Sequence, residues 1–230
     1  MIIEVIATSV EDAKIIAANG ADRIELVTGM AEGGLTPSYG LIEGVVKAVT
    51  IPVNVMIRPH SRSFYYSEED IQTMLKDIEI VKNIGAAGMV IGTLTPDNEI
   101  DEQTLQRLLA VSGDLDVTFH RAFDEVEQSK QVHALQTIMR YPKISRVLTS
   151  GGKPKAPEAA AHIKRLVEET KGTHFTILAG SGLTADNLPQ FIKDTGVPEI
   201  HVGSAVREAG DGLRPVDGRK IQALYKRIDQ

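Results

Sequence analysis

Glu4, Glu25, Arg58, His120 and His201 stand out in this 230-residue chain because each interrupts a short apolar segment. The strings are Ile-Ile-Glu4-Val-Ile, Asp-Arg23-Ile-Glu25-Leu, Val-Asn54-Val-Met-Ile-Arg58, Val-Thr118-Phe-His120 and Glu199-Ile-His201-Val. Side chains on a strand alternate between its two faces. The five ionisable residues therefore share one face, and Ile3, Val5, Ile24, Leu26, Val55, Ile57, Phe119, Ile200 and Val202 share the other. Strands covered on both faces usually read as continuous apolar runs. Charge placed there has to be paired, hydrogen-bonded or used.

Two kinds of chemistry suit that set. Glu4, Glu25, His120 and His201 offer the mixed oxygen and nitrogen donors of a divalent metal site. His120 and Glu25 alternatively form an acid/base pair. A purely structural reading makes Glu4 and Glu25 the counter-ions of Arg58 and Arg146. Three inward carboxylates, Glu4, Glu25 and Glu199, cannot stay ionised together without a nearby cation. Arg58 is accordingly expected within salt-bridge reach of Glu4 or Glu25.

The elements that position these residues follow from periodicity. Strands are expected at 2–7, 22–27, 52–58, 88–92, 115–120, 145–149, 175–180 and 198–202. Helices are expected at 10–19, 38–49, 67–84, 101–112, 126–140, 157–171, 184–195 and 216–228. Ser9 and Ser67 stand at helix starts as N-caps with acids in the first turn behind them. Gly20, Gly85 and Gly196 close helices. Eight alternations in a chain of this length predict an α/β fold, a single TIM (β/α)8 barrel over 1–230. The rival, an open doubly wound sheet, normally has a Gly-rich turn after its first strand. Here that turn is Ala7-Thr8-Ser9-Val10.

Barrel sites form where strands end. Those ends add Asp124, four residues past His120; Thr149-Ser150-Gly-Gly152 after strand 6; Gly180-Ser-Gly182 after strand 7; and Gly203-Ser204 after strand 8. Backbone N–H groups near Gly182 and Ser204 could hold an anion. Tight turns alone would also call for those glycines. Asp124 is expected to orient His120 or to pair with Arg121. Phe64-Tyr65-Tyr66 is expected to pack over the mouth, and Lys153 and Lys155 to be solvated.

Composition narrows the class. The net charge of −6 leaves no basic footprint for nucleic acid. With no cysteine there is no disulfide frame, thiolate metal site or cysteine nucleophile. Met-Ile-Ile-Glu has no basic leader, and no apolar run suits a membrane helix. A cytoplasmic protein with a small-molecule or anion ligand is expected, with no membrane partner. Self-association stays open.

Arg23-Ile-Glu25-Leu, Glu32-Gly-Gly-Leu-Thr-Pro-Ser38, Ile57-Arg58-Pro59, Thr118-Phe-His-Arg-Ala-Phe-Asp124, Arg146-Val-Leu-Thr-Ser-Gly151 and Glu199-Ile-His201 together resemble the CutC family, described as copper homeostasis proteins. The match runs in order from strand 1 to strand 8. The resemblance implies a TIM barrel, a cytoplasmic location and a link to copper, including copper binding. The chain departs from the pattern where cysteine-bearing members have a cysteine after Arg-x-Glu-Leu, because Val27 stands there. His60-Ser-Arg-Ser63 and His201-Val-Gly-Ser204 also differ from the simpler family forms. Cu(I) prefers soft sulfur ligands. Copper binding through cysteine therefore does not carry over, and Met30, Met56 and the histidines are the remaining donors.

Overall fold

Eight parallel strands close on themselves in sequence order in the computed structural model, which describes residues 1–228. Asp229 and Gln230, the end of the expected 1–230 unit, lie outside the described residues. The strands are β1 (Ile2–Ala7), β2 (Arg23–Leu26), β3 (Val53–Met56), β4 (Gly88–Ile91), β5 (Asp116–Phe119), β6 (Ile144–Thr149), β7 (Thr176–Gly180) and β8 (Glu199–Val202). Between them run α1 (Val10–Ala18), α2 (Tyr39–Ala48), α3 (Glu68–Ile84), α4 (Glu102–Val111), α5 (Gln131–Met139), α6 (Ala160–Glu169) and α7 (Leu188–Thr195). Helix α8 (Gly218–Ile228) follows β8. This is the TIM barrel architecture. Closure rests on β1, which pairs with β2 on one side and β8 on the other. Glu4 is in register with Arg23 and with His201, which brings three ionisable residues to one level of the lumen.

The period-two expectation holds on the outer face. Ile3, Val5, Ile24, Leu26, Val55, Ile57, Phe119, Ile200 and Val202 all belong to one buried core beneath the helices. Each such side chain contributes about 1.5–3 kcal/mol on burial, so this shell supplies most of the hydrophobic stabilisation. Inside the barrel the apolar content is smaller: a cluster of Val27, Met56 and Val90 with Ile6 and Met30 against them, and the pair Leu148 and Leu178 on β6 and β7.

Helix starts follow their caps. Ser9 Oγ accepts from Asp12 N–H, and Ser67 and Asp70 form a reciprocal capping box. Three expected helices begin late. Residues 126–130 do not join α5, because Gln131 Nε2 donates to the carbonyls of Phe123 and Val126 and holds that stretch in tight turns. Pro157 sits in a 3₁₀ turn ahead of α6, and Thr184 and Asn187 make a capping turn ahead of α7. Among the described residues no helix is long and apolar enough to cross a membrane.

Candidate functional site

The lower lumen is a chain of ion pairs centred on Arg23. Its Nε lies 2.5 Å from Glu4 Oε2, and its Nη2 lies 2.5 Å from Glu199 Oε2. Arg146 continues the chain, with Nε 3.2 Å from Glu199 and Nη1 2.5 Å from Asp116. Arg58 does not take this place, contrary to the sequence expectation. Arg23 lies two residues before Glu25, on the same face and one layer lower, level with Glu4. Arg58 lies higher, four residues past Asn54, which is level with Glu25. The signal for Arg23 was present in Arg23-Ile-Glu25, since residues two apart on a strand share a face. Burial pushes the Glu4 carboxyl up, but the hydrogen bond from His201 and the charge of Arg23 outweigh it and hold the pKa down to about 2.

Above this layer opens a cavity of about 500 Å³. Glu25, His201, Met56 and Leu148 line it, as do His120, Arg58 and Phe64. His201 links the layers. Its Nδ1 lies 2.7 Å from Glu4 Oε1, and its Nε2 lies 3.7 Å from Glu25 Oε2. Burial disfavours a charge on His201, but the carboxylates of Glu25 and Glu4 outweigh burial and raise its pKa. Glu25 is only 2% exposed, and its Oε1 has no hydrogen-bond partner. Burial, opposed by His201 and reinforced by the charge of Glu4, pushes the Glu25 carboxyl up to about 7.

His120 is 3% exposed. Its Nδ1 accepts the N–H of Ala122 at 3.1 Å and so caps the 3₁₀ turn Arg121–Glu125. Its Nε2 has no partner. Burial, with the positive charge of Arg58 beside it, drives the imidazole down to about 3, so it is neutral at ordinary pH. The ring needs the space that Gly92 leaves, since a Cβ there would collide with Nδ1 and Cε1 of His120. Arg58 is held differently from Arg23. Its Nη1 donates to the carbonyls of Glu32 and Gly34 at 3.0 and 3.1 Å, and its guanidinium carbon stands 4.6 Å over the Phe64 ring. Its Nε is buried without a partner. Phe64 also packs 5.0 Å from the His120 ring, so this part of the aromatic string does pack at the mouth.

Gly182 and Ser204 sit at the cavity rim. Among the described residues no protein acceptor is found for the N–H groups of Gly182, Ser204 or Ala205. Asp124 and Ser150 lie outside the lining. Asp124 pairs with Arg121 at 2.7 Å rather than orienting His120. It also accepts from Thr149 Oγ1 and from the backbone N–H groups of Ser150 and Gly152. The loop after β6 is thus folded around the chain's own carboxylate. Asp12 and Arg207, both missed from sequence, form a buried pair at 2.9 Å. Arg207 also donates to the carbonyls of Ile6 and Arg214, which ties down the segment whose Asp211, Gly212 and Leu213 roof the cavity. No periodic pattern marks that loop. Lys153 and Lys155 are exposed, as expected.

Of the four metal donors expected, Glu4, Glu25 and His201 come close enough to share an ion, their donor atoms lying within 4.8 Å of one another. His120 is not in that group. Both Glu4 oxygens are already engaged, by Arg23 and by His201, and the guanidinium beside them opposes a cation. The arrangement suits proton transfer better than metal ligation: a carboxyl pushed towards neutrality and an uncharged imidazole face one cavity.

The CutC family model matches residues 1–206. The chain is 42% identical to the copper homeostasis protein cutC homolog of Homo sapiens over 214 residues, 93% of this chain and 77% of the relative. It is 40% identical over 205 residues to the family protein CutC of Salmonella typhimurium, covering 89% and 80% of the two chains. The crystal structure of CutC from Streptococcus agalactiae superposes with a TM-score of 0.82 at 31% identity, over 87% of this chain and 97% of that one.

Proposed function

The chain belongs to the CutC family, and from that premise we propose that the barrel mouth binds a small anionic molecule and acts on it by acid/base chemistry. The observation that carries this is a pair of buried atoms without partners, Glu25 Oε1 and His120 Nε2, on two residues that line one cavity. Buried polar atoms are nearly always hydrogen-bonded, and those that are not call for an explanation. A bound ligand supplies one. Arg58 and the free amides at Gly182 and Ser204 supply attraction for an anion, while Glu25 and His120 supply the groups that exchange or share protons.

Copper, named for the human relative, is the second reading. The donors do not make a tight Cu(I) site: there is no cysteine, and Glu4, Glu25 and His201 are hard or borderline ligands with Arg23 alongside. Met30 and Met56 do line the cavity with His201, so weak Cu(I) binding through thioether and imidazole is the form copper binding would take. On the main reading, any share in copper homeostasis lies in what the mouth binds or converts, in the cytoplasm, and not in a resident ion. Competition with a strong Cu(I) chelator tests the second reading: the chelator should strip the metal, and stoichiometric retention would favour copper over the anion.

The test of the main reading is thermal stabilisation by a panel of small phosphates and carboxylates. A binder at a hundred times its Kd should stabilise the fold by about 2.7 kcal/mol. His120→Asn, whose side-chain oxygen can still accept from Ala122, should lose the shift while remaining folded. No shift from any member of the panel overturns the reading.

A further inference from the structure

We propose that the mouth removes a proton from the carbon next to a carbonyl group: Glu25 takes the proton, and the Nε2–H of His120 holds the carbonyl oxygen as it becomes an enolate. This rests on the mouth being an acid/base site and adds the substrate class, a small carbonyl compound carrying a phosphate or carboxylate.

The tautomer of His120 is fixed by its neighbour. Ala122 N–H can only donate, so Nδ1 must accept, and the single proton of a neutral imidazole then sits on Nε2. Nε2–H is therefore an uncharged, buried donor without a partner among the described residues, on a ring that lines the cavity. Burial and Arg58 keep it uncharged. A neutral imidazole of this kind polarises a carbonyl without first delivering a proton. Its value lies in being preorganised where negative charge develops. The Nε–H of Arg58, also unpartnered, is a second donor beside it.

Glu25 is the matching base. Unlike Glu4 it makes no ion pair with an arginine, and its Oε1 is free. A carboxylate whose pKa lies near the working pH is well matched to general base catalysis, and burial has moved Glu25 there. β2 and β5, which carry the base and the donor, are separated in the barrel by β3 and β4. A molecule seated between them meets the base on one side and the donor on the other. The anionic group then reaches the free amides after β7 and β8.

The step balances without a redox partner. The C–H bond breaks and its proton goes to Glu25 Oε1. The electron pair becomes a carbon–carbon π bond, and the carbonyl π pair moves onto oxygen, against His120 Nε2–H. Return of a proton from Glu25 to the same carbon restores the carbonyl compound. Where the neighbouring carbon carries a hydroxyl, return of the proton to that carbon, with the hydroxyl proton passing to the first oxygen, completes an isomerisation between hydroxy-aldehyde and hydroxy-ketone.

The full chain is incubated in deuterium oxide with a panel of short hydroxy-aldehydes, hydroxy-ketones and 2-oxo acids, each with and without a phosphate. Loss of the signal from hydrogen next to the carbonyl is followed by proton NMR, and binding of each compound is followed in parallel by thermal shift. At least one anionic member should exchange at least ~100-fold faster than in buffer, within the range of general acid–base catalysis. Exchange should rise as pH passes through about 7 and level off above it. Glu25→Gln should remove it. His120→Asn, whose amide is too short to reach the Nε2 position, should lower it ~100-fold, and His120→Gln, whose longer side chain carries its N–H donor to that position, should recover part of that loss. Anionic carbonyl compounds that stabilise the fold but do not exchange would overturn enolisation and leave the binding site standing. Exchange that persists in a folded Glu25→Gln variant would overturn the assigned base. If nothing stabilises and nothing exchanges, both this inference and the reading beneath it fall.

Discussion

In the lower lumen Arg23 and Arg146 stand between Glu4, Glu199 and Asp116, and each carboxylate has a guanidinium within 3.2 Å. Higher along the lumen, Glu25 and, nearer the mouth, His120 and Arg58 each keep a buried atom without a partner. The same strands supply both layers, and the same period turns both sets inward. What differs is compensation. Below, the loss of hydration is offset by opposite charge, which fits a structural layer. Above, it is offset only in part, and the groups adjust by shifting their protonation: Glu25 is pushed up and His120 down. The contrast has an exception on each side: below, Arg146 Nε lies 3.2 Å from Glu199 without making a hydrogen bond, and above, Asn54 stands out. Asn54 sits in register with Glu25, and neither of its amide atoms is bonded.

The largest effect expected from this contrast is on stability and belongs to the lower layer. Arg23→Ala leaves Glu4 and Glu199 facing each other in a buried lumen. Removing one partner of a buried pair typically costs about 3–5 kcal/mol. Urea unfolding of the variant should show a loss of that order. A loss below about 1 kcal/mol would break the contrast, because the lower layer would then be no more structural than the mouth.

The next effect has the opposite sign. Glu25→Gln removes a buried carboxyl that pays for its own burial, so the variant should be as stable as the parent or more stable at pH 8. The pH window follows from the shifts. Glu25 has a folded pKa raised to about 7, against roughly 4.3 unfolded. Its contribution to stability is therefore fully present below about 4.3 and is lost as pH rises through about 7. Glu4, held down to about 2, does the reverse: its contribution is present above roughly 4.3 and is lost as pH falls towards 2. Thermal unfolding of parent and Glu25→Gln should diverge steadily between pH 5 and 7 and run parallel above. Curves that stay parallel throughout would mean that Glu25 does not titrate in that window.

The barrel and the inward set were legible because period two is a strong signal when apolar and charged residues alternate strictly. Ile24-Glu25-Leu26 and Phe119-His120 could hardly be arranged otherwise once helices cover the outer face. Which inward charge meets which was not legible. That depends on the stagger between neighbouring strands, and the stagger sets Arg23 level with Glu4 and lifts Arg58 above it. Loop geometry was also hidden. Asp124 sits only four residues past His120, yet it turns to the loop after β6, where several donors converge on it. The Asp12–Arg207 pair joins residues 195 apart with no local pattern to announce it.

The smallest stability effect is expected at Arg58, and it sharpens the contrast most. Sequence alone would make Arg58 the counter-ion of Glu4 or Glu25, and its loss would then cost as much as the loss of Arg23. Its observed contacts are two carbonyls and one aromatic face, with the Tyr66 hydroxyl also within its influence, and no carboxylate among them. The Glu32 carbonyl belongs to an exposed stretch of the loop after β2 and can turn to water when the guanidinium goes. Arg58→Ala should therefore cost about 1–2 kcal/mol, the scale of a net hydrogen bond plus a partly exposed cation–π contact. Removing its charge should also raise the His120 pKa, since repulsion from Arg58 is the second cause of the depression. Burial, the first cause, persists, so His120 should stay below its ordinary value. Nitrogen-15 NMR of the ring follows that titration directly. A stability loss as large as that of Arg23→Ala, with His120 unmoved, would return Arg58 to the structural layer and leave the mouth without its anion-attracting charge.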